Sequence, residues 1–382
     1  MLFTKKKNRG LIDLLEDSKS VHRFADFTVH PVHTYFLVCI LEDHTNDTPS
    51  AVINTLVVIN TITKTVHPIL SGADFYTGAK FSPDGKHLVW KQWSHPDMPW
   101  QGSQIHVADV VVDSETLSVK NDTLIAGEPA KISAEFPSWA SNDTLIFTSD
   151  VSGFINPWKH TIEATAPLLS TPLAEEFGEP LWFLNIFPYA IIGPEGNLGL
   201  FTTIKDGRSG LYLFYLDSSS AYQHISTPYV TMSYVRCVSR SNNEIVFVGQ
   251  KADEEPSIVK CTLRELTGFF APDFTVLKAT PPAPFPAEIV SIPEPKTVQN
   301  ASAGPIYVIY YPPHNPDYVG SNIPGELPPC AVNVHGGPTG LASQGLNWNM
   351  QYYTSRGWAW QVVGSYNNSY IYSEYFTNAG WM

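Results

Sequence analysis

Between about residue 24 and residue 290 the apolar positions fall in short runs separated by turn residues, without a sustained 3.6-residue period. Tyr35-Phe36-Leu37-Val38-Cys39-Ile40, Thr55-Leu56-Val57-Val58-Ile59, His87-Leu88-Val89-Trp90, Thr144-Leu145-Ile146-Phe147, Leu211-Tyr212-Leu213-Phe214-Tyr215 and Glu244-Ile245-Val246-Phe247-Val248 are of this kind. Each is rich in β-branched and aromatic side chains, which suit a pleated, half-buried surface, and each is too short to hold a helix. The pattern predicts an all-β region.

A loose repeat runs through it. Phe81-Ser82-Pro83-Asp84-Gly85-Lys86 sets a tight turn between an aromatic anchor and a strand. Related forms recur at Trp139-Ala140-Ser141-Asn142-Asp143, at Gly193-Pro194-Glu195-Gly196-Asn197 and at Ser241-Asn242-Asn243-Glu244. A spacing of about 45–58 residues is close to that of a four-stranded propeller blade, and such a unit must stack on neighbours to cover its faces. Four units are visible this way, fewer than most closed propellers hold, which leaves a diverged blade or an incomplete ring as the alternatives.

Pro281-Pro282-Ala283-Pro284-Phe285-Pro286 and Pro293-Glu294-Pro295 read as a linker, since consecutive prolines resist both helix and ladder. Beyond it Ile306–Tyr311, Ala331–Val334 and Trp358–Val363 predict strands, with a helix between Gly345 and Arg356, the order of an α/β unit with a parallel sheet. The expected domains are a tail over 1–22, a β-propeller-like domain over 23–290 and the start of an α/β-hydrolase domain over 291–382. With so few strands and one helix, those three apolar strands are expected to keep exposed faces.

Charge narrows the partners. Lys+Arg total 23 against Asp+Glu 36, and a net charge of −13 opposes phosphate backbones and anionic lipid. The basic cluster Lys5-Lys6-Lys7 with Arg9 reads as a solvated tail, so no nucleic-acid partner is expected. No apolar stretch reaches the length of a membrane span, and the early run Leu11–Asp17 is broken by acids, so neither a membrane nor an export signal is expected and the reading is cytoplasmic. Cys39, Cys237, Cys261 and Cys330 are scattered, which suggests neither zinc nor a disulfide framework; no metal and no cofactor are expected. His30 and His33 are spaced for a metal, but Pro31 and the lack of a third ligand favour structural roles.

The chemistry lies in Val334-His335-Gly336-Gly337-Pro338, which follows a buried-looking strand. Paired glycines leave backbone N–H groups uncovered, as in an oxyanion loop; Gly337 N–H is the candidate donor and His335 a loop-shaping residue. Together with the repeats and the linker, this motif resembles the prolyl oligopeptidase family of serine hydrolases, in its acylaminoacyl-peptidase and dipeptidyl-aminopeptidase-like branch. Arg23-Phe24-Ala25-Asp26-Phe27, Ser71-Gly72-Ala73-Asp74-Phe75-Tyr76, His95-Pro96-Asp97-Met98-Pro99-Trp100, Ser149-Asp150 with Gly153-Phe154, and Tyr353-Thr354-Ser355-Arg356-Gly357 carry the same resemblance. It implies a mainly β fold, a partial β-propeller followed by an incomplete α/β-hydrolase segment. It also implies hydrolysis of short peptides or small amides and esters by a Ser-His-Asp triad, with a homo-oligomer compatible with the family.

The sequence departs from that family at three points. No Gly-x-Ser-x-Gly occurs; Leu341-Ala342-Ser343-Gln344-Gly345 lacks the first glycine, so Ser343 reads as a loop serine and the triad as absent. The segment at Arg23-Phe24 resembles an internal part of the family propeller, so the chain reads as cut short at both ends. Tyr370 and Tyr372 stand where the family carries small residues after the oxyanion-side strand. Glu175-Glu176 reads first as a solvated loop and second as a carboxylate pair for a substrate's amino terminus. Three functions therefore stand side by side: a hydrolase lacking its triad in this chain, a non-catalytic propeller binding module or pseudo-enzyme, and a hydrolase-like component of a small-molecule biosynthetic pathway.

Overall fold

The computed structural model describes residues 3–6, 9–13, 21–181, 183–218, 221–281, 285–300, 304–334 and 342–363. Within the stretch read as a tail, β1 (Phe3–Lys6) and β2 (Arg9–Asp13) pair antiparallel. Five four-stranded blades follow, each with consecutive strands adjacent. The first is β3 (His22–Val29), β4 (Phe36–Asp43), β5 (Ile53–Asn60) and β6 (Thr65–Leu70). The second is β7 (Phe75–Phe81), β8 (His87–Trp93), β9 (Gln104–Val112) and β10 (Leu117–Ala126), with a one-turn helix, α1 (Pro99–Gly102), before β9. β11 (Ala134–Trp139), β12 (Leu145–Ser149), β13 (Asn156–His160) and β14 (Thr165–Pro167) make the third. The fourth is β15 (Tyr189–Ile192), β16 (Leu198–Lys205), β17 (Arg208–Tyr215) and β18 (Tyr222–His224), and the fifth β19 (Thr231–Ser239), β20 (Glu244–Gln250), β21 (Ser257–Leu266) and β22 (Phe269–Ala279).

The turn repeat is what ties blade to blade. In the second blade Ser82 Oγ donates to Asp84 Oδ1 and accepts from His87 N, at 2.7 and 3.0 Å, while Gly85 closes the turn at φ +76°. A Cβ at Gly85 would lie 2.4 Å from the His30 ring, which packs on Phe81, so glycine is required twice over. His30 Nδ1 accepts the N–H groups of Val32 and His33, the structural role expected of it. Asp84 N donates to Asn142 Oδ1 of the next blade at 3.0 Å, and Gly193 N to Asn243 Oδ1 at 3.1 Å, the same link between the fourth and fifth blades. The first blade escaped the sequence repeat because His30-Pro31 replaces the Pro-Asp-Gly signal at its turn.

A second device recurs in the leading strands. β3, β7, β11 and β19 each shift register around a residue in the left-handed region: Asp26, Gly78, Phe136 and Tyr234. These bulges bend the strand and leave polar groups free to bridge blades. Asp26 Oδ2 takes the Thr77 hydroxyl and Gly78 N–H, at 2.9 and 2.6 Å, and Lys80 Nζ donates to Ser138 Oγ at 3.3 Å.

After the blades comes a mixed sheet of the α/β-hydrolase type: β23 (Glu294–Asn300), β24 (Gly304–Tyr311), β25 (Cys330–Val334) and β26 (Ala359–Val363), with α2 (Trp348–Thr354) before β26. The order is β23-β24-β26-β25; the β25–β26 pair is parallel and the other two are antiparallel. β23 was read as linker because of Pro295, which an edge strand tolerates. Asn347 caps α2 by accepting Asn349 N and Met350 N. Ile309, Tyr311, Val362 and Ala342 form the sheet's core, with Met350 of α2 packed on it. The expected exposure of all three apolar strands is therefore corrected for β24 and β26, whose Val308, Ile309, Tyr311, Ala359 and Val362 are buried, and holds for β25.

The chain divides into two compact units. One is Met1–Val151 with Pro157–Pro167 and Leu181–Asn185; the other is Ser152–Asn156, Leu168–Pro180 and Ile186–Met382. The second unit thus joins the fourth and fifth blades to the mixed sheet. Its linker end is pinned: Ser291 N donates to Gln351 Oε1 and Gln351 Nε2 to Ser291 O, at 2.7 and 3.0 Å. Among the described residues no helix is long and apolar enough to cross a membrane.

Candidate functional site

β25 delivers the chain into His335, Gly336, Gly337 and Pro338, which lie outside the described residues, as does 364–382 with Tyr370 and Tyr372. The segment on the far side of the motif is fixed firmly. Gln344 is buried; its N–H donates to Gly207 O at 2.9 Å and its Nε2 to Asp206 O at 2.7 Å. Gln250 Nε2 donates to Leu346 O at 2.9 Å, Leu346 N reaches Lys251 O, and Trp348 Nε1 donates to Glu255 Oε1. The β16–β17 turn and the end of β20 therefore hold residues 344–348, a few positions after the glycine pair. Ser343 Oγ accepts Gly345 N–H at 3.1 Å, consistent with a loop serine.

The turn that makes this contact is built for it. Asp206 and Gly207 have φ +52° and +69°, the two-residue left-handed turn whose twist suits a hairpin. A Cβ at Gly207 would lie 2.6 Å from Ile309 Cδ1 and 2.7 Å from the Ala342 carbonyl, and a backbone oxygen cannot swing away as a side chain can. Gly207→Val combines left-handed strain in a β-branched residue with this overlap and the loss of the Gln344 bond. The expected cost is about 3 kcal/mol, read as a lower urea midpoint for the second unit together with faster amide exchange at Gln344 and Leu346. Unchanged exchange there would mean that the turn does not hold the segment.

Glu175 and Glu176 are engaged separately. Glu176 is 1% exposed, bridges backbone to backbone with Ile204, and through Oε2 accepts Ile155 N at 2.9 Å. It is not the solvated loop residue expected. Its neighbour Glu175 bonds different partners, as successive residues of an extended segment, which point to opposite sides, do. Glu175 takes the Thr203 hydroxyl at 2.9 Å and the Tyr212 hydroxyl at 3.0 Å, and Lys205 Nζ lies 3.6 Å away. Burial and the Glu175 charge push the Tyr212 phenol up.

Sequence reasoning missed Glu179, three residues on. It is 7% exposed, and burial holds its carboxyl at about 8, with the Arg236 charge pulling the other way. Arg236 stands beside the Tyr234 bulge, donates to Val235 O, and lies over the Phe187 ring at 5.8 Å from its centroid. The available signal was Glu-Phe-Gly-Glu-Pro, an acid in an apolar, glycine-containing run. An open groove of about 1100 Å³, bordered by Phe285, Trp348, Tyr352 and Arg356, lies beside α2; there Arg356 is stacked on Tyr352.

No family model and no curated protein matches the chain. Solved structures do. A puromycin-hydrolyzing peptidase of Mycobacterium tuberculosis is 26% identical over 94% of this chain and 54% of its own, with a TM-score of 0.78. A puromycin hydrolase is 25% identical at the same coverages, with a TM-score of 0.79. Prolyl oligopeptidase B from Galerina marginata, 8% identical over 94% of this chain and 48% of its own, shares the fold at a TM-score of 0.68. The chain spans about half the length of these proteins.

Proposed function

Because the chain belongs to the prolyl oligopeptidase family of hydrolases, we propose that it is the substrate-holding and oxyanion-side part of a peptide, amide or ester hydrolase. The observation that carries this reading is the fixing of residues 344–348, which begin seven positions after Gly337, to the fourth and fifth blades. In the proposal, Gly337 N–H meets the developing oxyanion of a carbonyl attacked by a serine of the Gly-x-Ser-x-Gly kind, a motif that does not occur in residues 1–382. The division at residues 22 and 290, with the cytoplasmic setting, belongs to the same proposal. An amino-terminus role for the glutamates would fall to Glu175, whose Lys205 partner is exposed and can be exchanged for a substrate ammonium.

A second reading, a non-catalytic peptide-binding module, is favoured by the missing Gly-x-Ser-x-Gly. Titration calorimetry with di- and tripeptide amides, run beside aminoacyl-nitroanilide turnover, tests the proposal. Saturable peptide binding that weakens in Glu175→Gln, with no turnover, is expected. Turnover would place a nucleophile in the chain and contradict the account; absence of binding would remove the substrate-holding role.

A further inference from the structure

Two histidines stand at opposite ends of β4 in the first blade, and their bonds require opposite charge states. His30, in the β3–β4 turn, is 2% exposed, and its Nδ1 accepts the N–H groups of Val32 and His33 at 3.2 and 3.0 Å. A ring nitrogen that accepts carries no proton, so this imidazole is neutral with its proton on Nε2. It packs against Phe81 and Gly85 of the second blade, and among the described residues no carboxylate bonds it. The titratable group facing it is the His33 ring, 5.0 Å away between centroids, while Asp84 of the neighbouring turn is engaged by Ser82 and Lys86. Burial first, and the His33 charge second, hold the His30 pKa below the ordinary 6.5, against a Gly85 backbone bond.

His44, where β4 passes into the loop before β5, is the converse. Its Nε2 lies 3.0 Å from Glu42 Oε2 and its Nδ1 2.7 Å from Asp47 Oδ1. Only an imidazolium donates from both nitrogens. Arg23 of β3 adds a positive charge beside it, and Asp43, which accepts the Thr45 N–H and hydroxyl, lies 3.9 Å from His22. The Glu42 bond first, and the Asp47 bond second, raise the His44 pKa above 6.5, against desolvation and the Arg23 charge.

We propose that the first blade is a two-ended pH gauge, its β3–β4 turn held only while His30 is neutral and its β4–β5 loop only while His44 is charged. Protonation of His30 puts a proton on Nδ1, removes the acceptor of both N–H groups and sets a cation under Gly85, so the turn opens at its contact with the second blade. Deprotonation of His44 takes the donor from one of its two carboxylates and leaves Arg23 to offset Glu42, Asp43 and Asp47, so the loop is freed. The two ends have opposite signs. The His30 contribution is complete above pH 6.5 and is lost as the pH falls through the lower folded value; the His44 contribution is complete below pH 6.5 and is lost as the pH rises through the higher one. Both ends are closed only in the window between, which contains pH 6.5.

The full chain labelled with 15N at histidine reports both rings. At pH 6.5 long-range spectra should show a bare Nδ1 on His30 and protons on both nitrogens of His44. Amide protection, corrected for the intrinsic effect of pH on exchange, should fall roughly ten-fold at Val32 and His33 towards about pH 5, and as much at Thr48 and Val52 towards about pH 8.5. Val38 and Val58, within the strands, should keep theirs. His30→Asn, whose amide oxygen can accept the same N–H groups, should abolish the acid limb alone, and His44→Gln the alkaline limb alone. Ring spectra and protection are both read on the parent chain, so poor folding of His30→Asn does not remove the test. A proton on His30 Nδ1 or a singly protonated His44 at pH 6.5 overturns the proposal, as does protection that stays flat. Loss at Val38 and Val58 in step with the turn or the loop is unfolding of the whole blade and overturns it as well. A limb that survives its own variant belongs to another group, with the same consequence.

Discussion

Glu135→Ala is expected to destabilise the first unit by about 3–5 kcal/mol. Lys91 Nζ lies 2.5 Å from Glu135 Oε2, and the two side chains are 4% and 1% exposed. The other carboxylate oxygen accepts the Ser103 hydroxyl at 2.8 Å and lies in bonding reach of the Ser133 hydroxyl. Truncation leaves the Lys91 ammonium buried without its counter-charge, a loss that carries its full desolvation cost, while the Ser103 and Ser133 hydroxyls keep the Ala134 and Pro99 carbonyls as acceptors. Asp150, whose Oδ1 accepts Ser133 N, supplies an independent reading. Burial pushes its carboxyl up to about 6, the Glu135 charge adds to that, and so its titration should move down in the variant. Urea unfolding of Glu135→Ala and of the double change Lys91→Met with Glu135→Leu checks the argument. The double variant should recover most of the loss, because two apolar side chains leave no buried charge; a single variant within about 1 kcal/mol of the parent would mean that the pair is solvated.

Glu179→Gln is expected to leave stability nearly unchanged at pH 5 and to raise it above pH 8, by up to roughly 4 kcal/mol. The carboxyl ordinarily titrates at 4.5 and in the fold at about 8. The folded state therefore holds the proton more tightly than the unfolded chain. The stability this supplies is complete below pH 4.5 and is lost as the pH rises towards 8, where a buried carboxylate must form. Glutamine has no such proton to lose. Unfolding midpoints of parent and variant across pH 5–9 should diverge through that window; parallel curves would show that Arg236 already neutralises an ionised Glu179.

The strands were legible because each carries its own signal: Leu211–Tyr215 and Glu244–Val248 are apolar, β-branched or aromatic, and end in turn residues, and all appear where expected. The blade repeat was legible for the same local reason, since Pro83-Asp84-Gly85 and its relatives specify a turn whatever surrounds them. The features that escaped the sequence depend on distant partners. β23 is a strand because Val298 and its neighbours pair with Ile306 and its own, and nothing within Pro293-Glu294-Pro295 announces that pairing. The burial of β24 comes from Ala342 and α2, far along the chain. Phe136 and Tyr234 adopt a left-handed conformation that their side chains disfavour, which only the blade bulges impose. Of the candidate site, the glycine pair is a motif reading that falls on residues outside the described ones, whereas neither the hold of the Gly207 turn on the residues after it nor the burial of Glu179 is fixed by a local signal that a sequence could show.

The proposed reading is of blades and an oxyanion-side sheet as in a serine hydrolase, with no activated serine among residues 1–382. Incubation of purified 1–382 with an excess of a fluorophosphonate, followed by intact-mass measurement, tests it directly, because that reagent reacts only where a base has made a serine nucleophilic. The account predicts an unchanged mass; a stoichiometric adduct mapped to any serine, Ser343 above all, would contradict it.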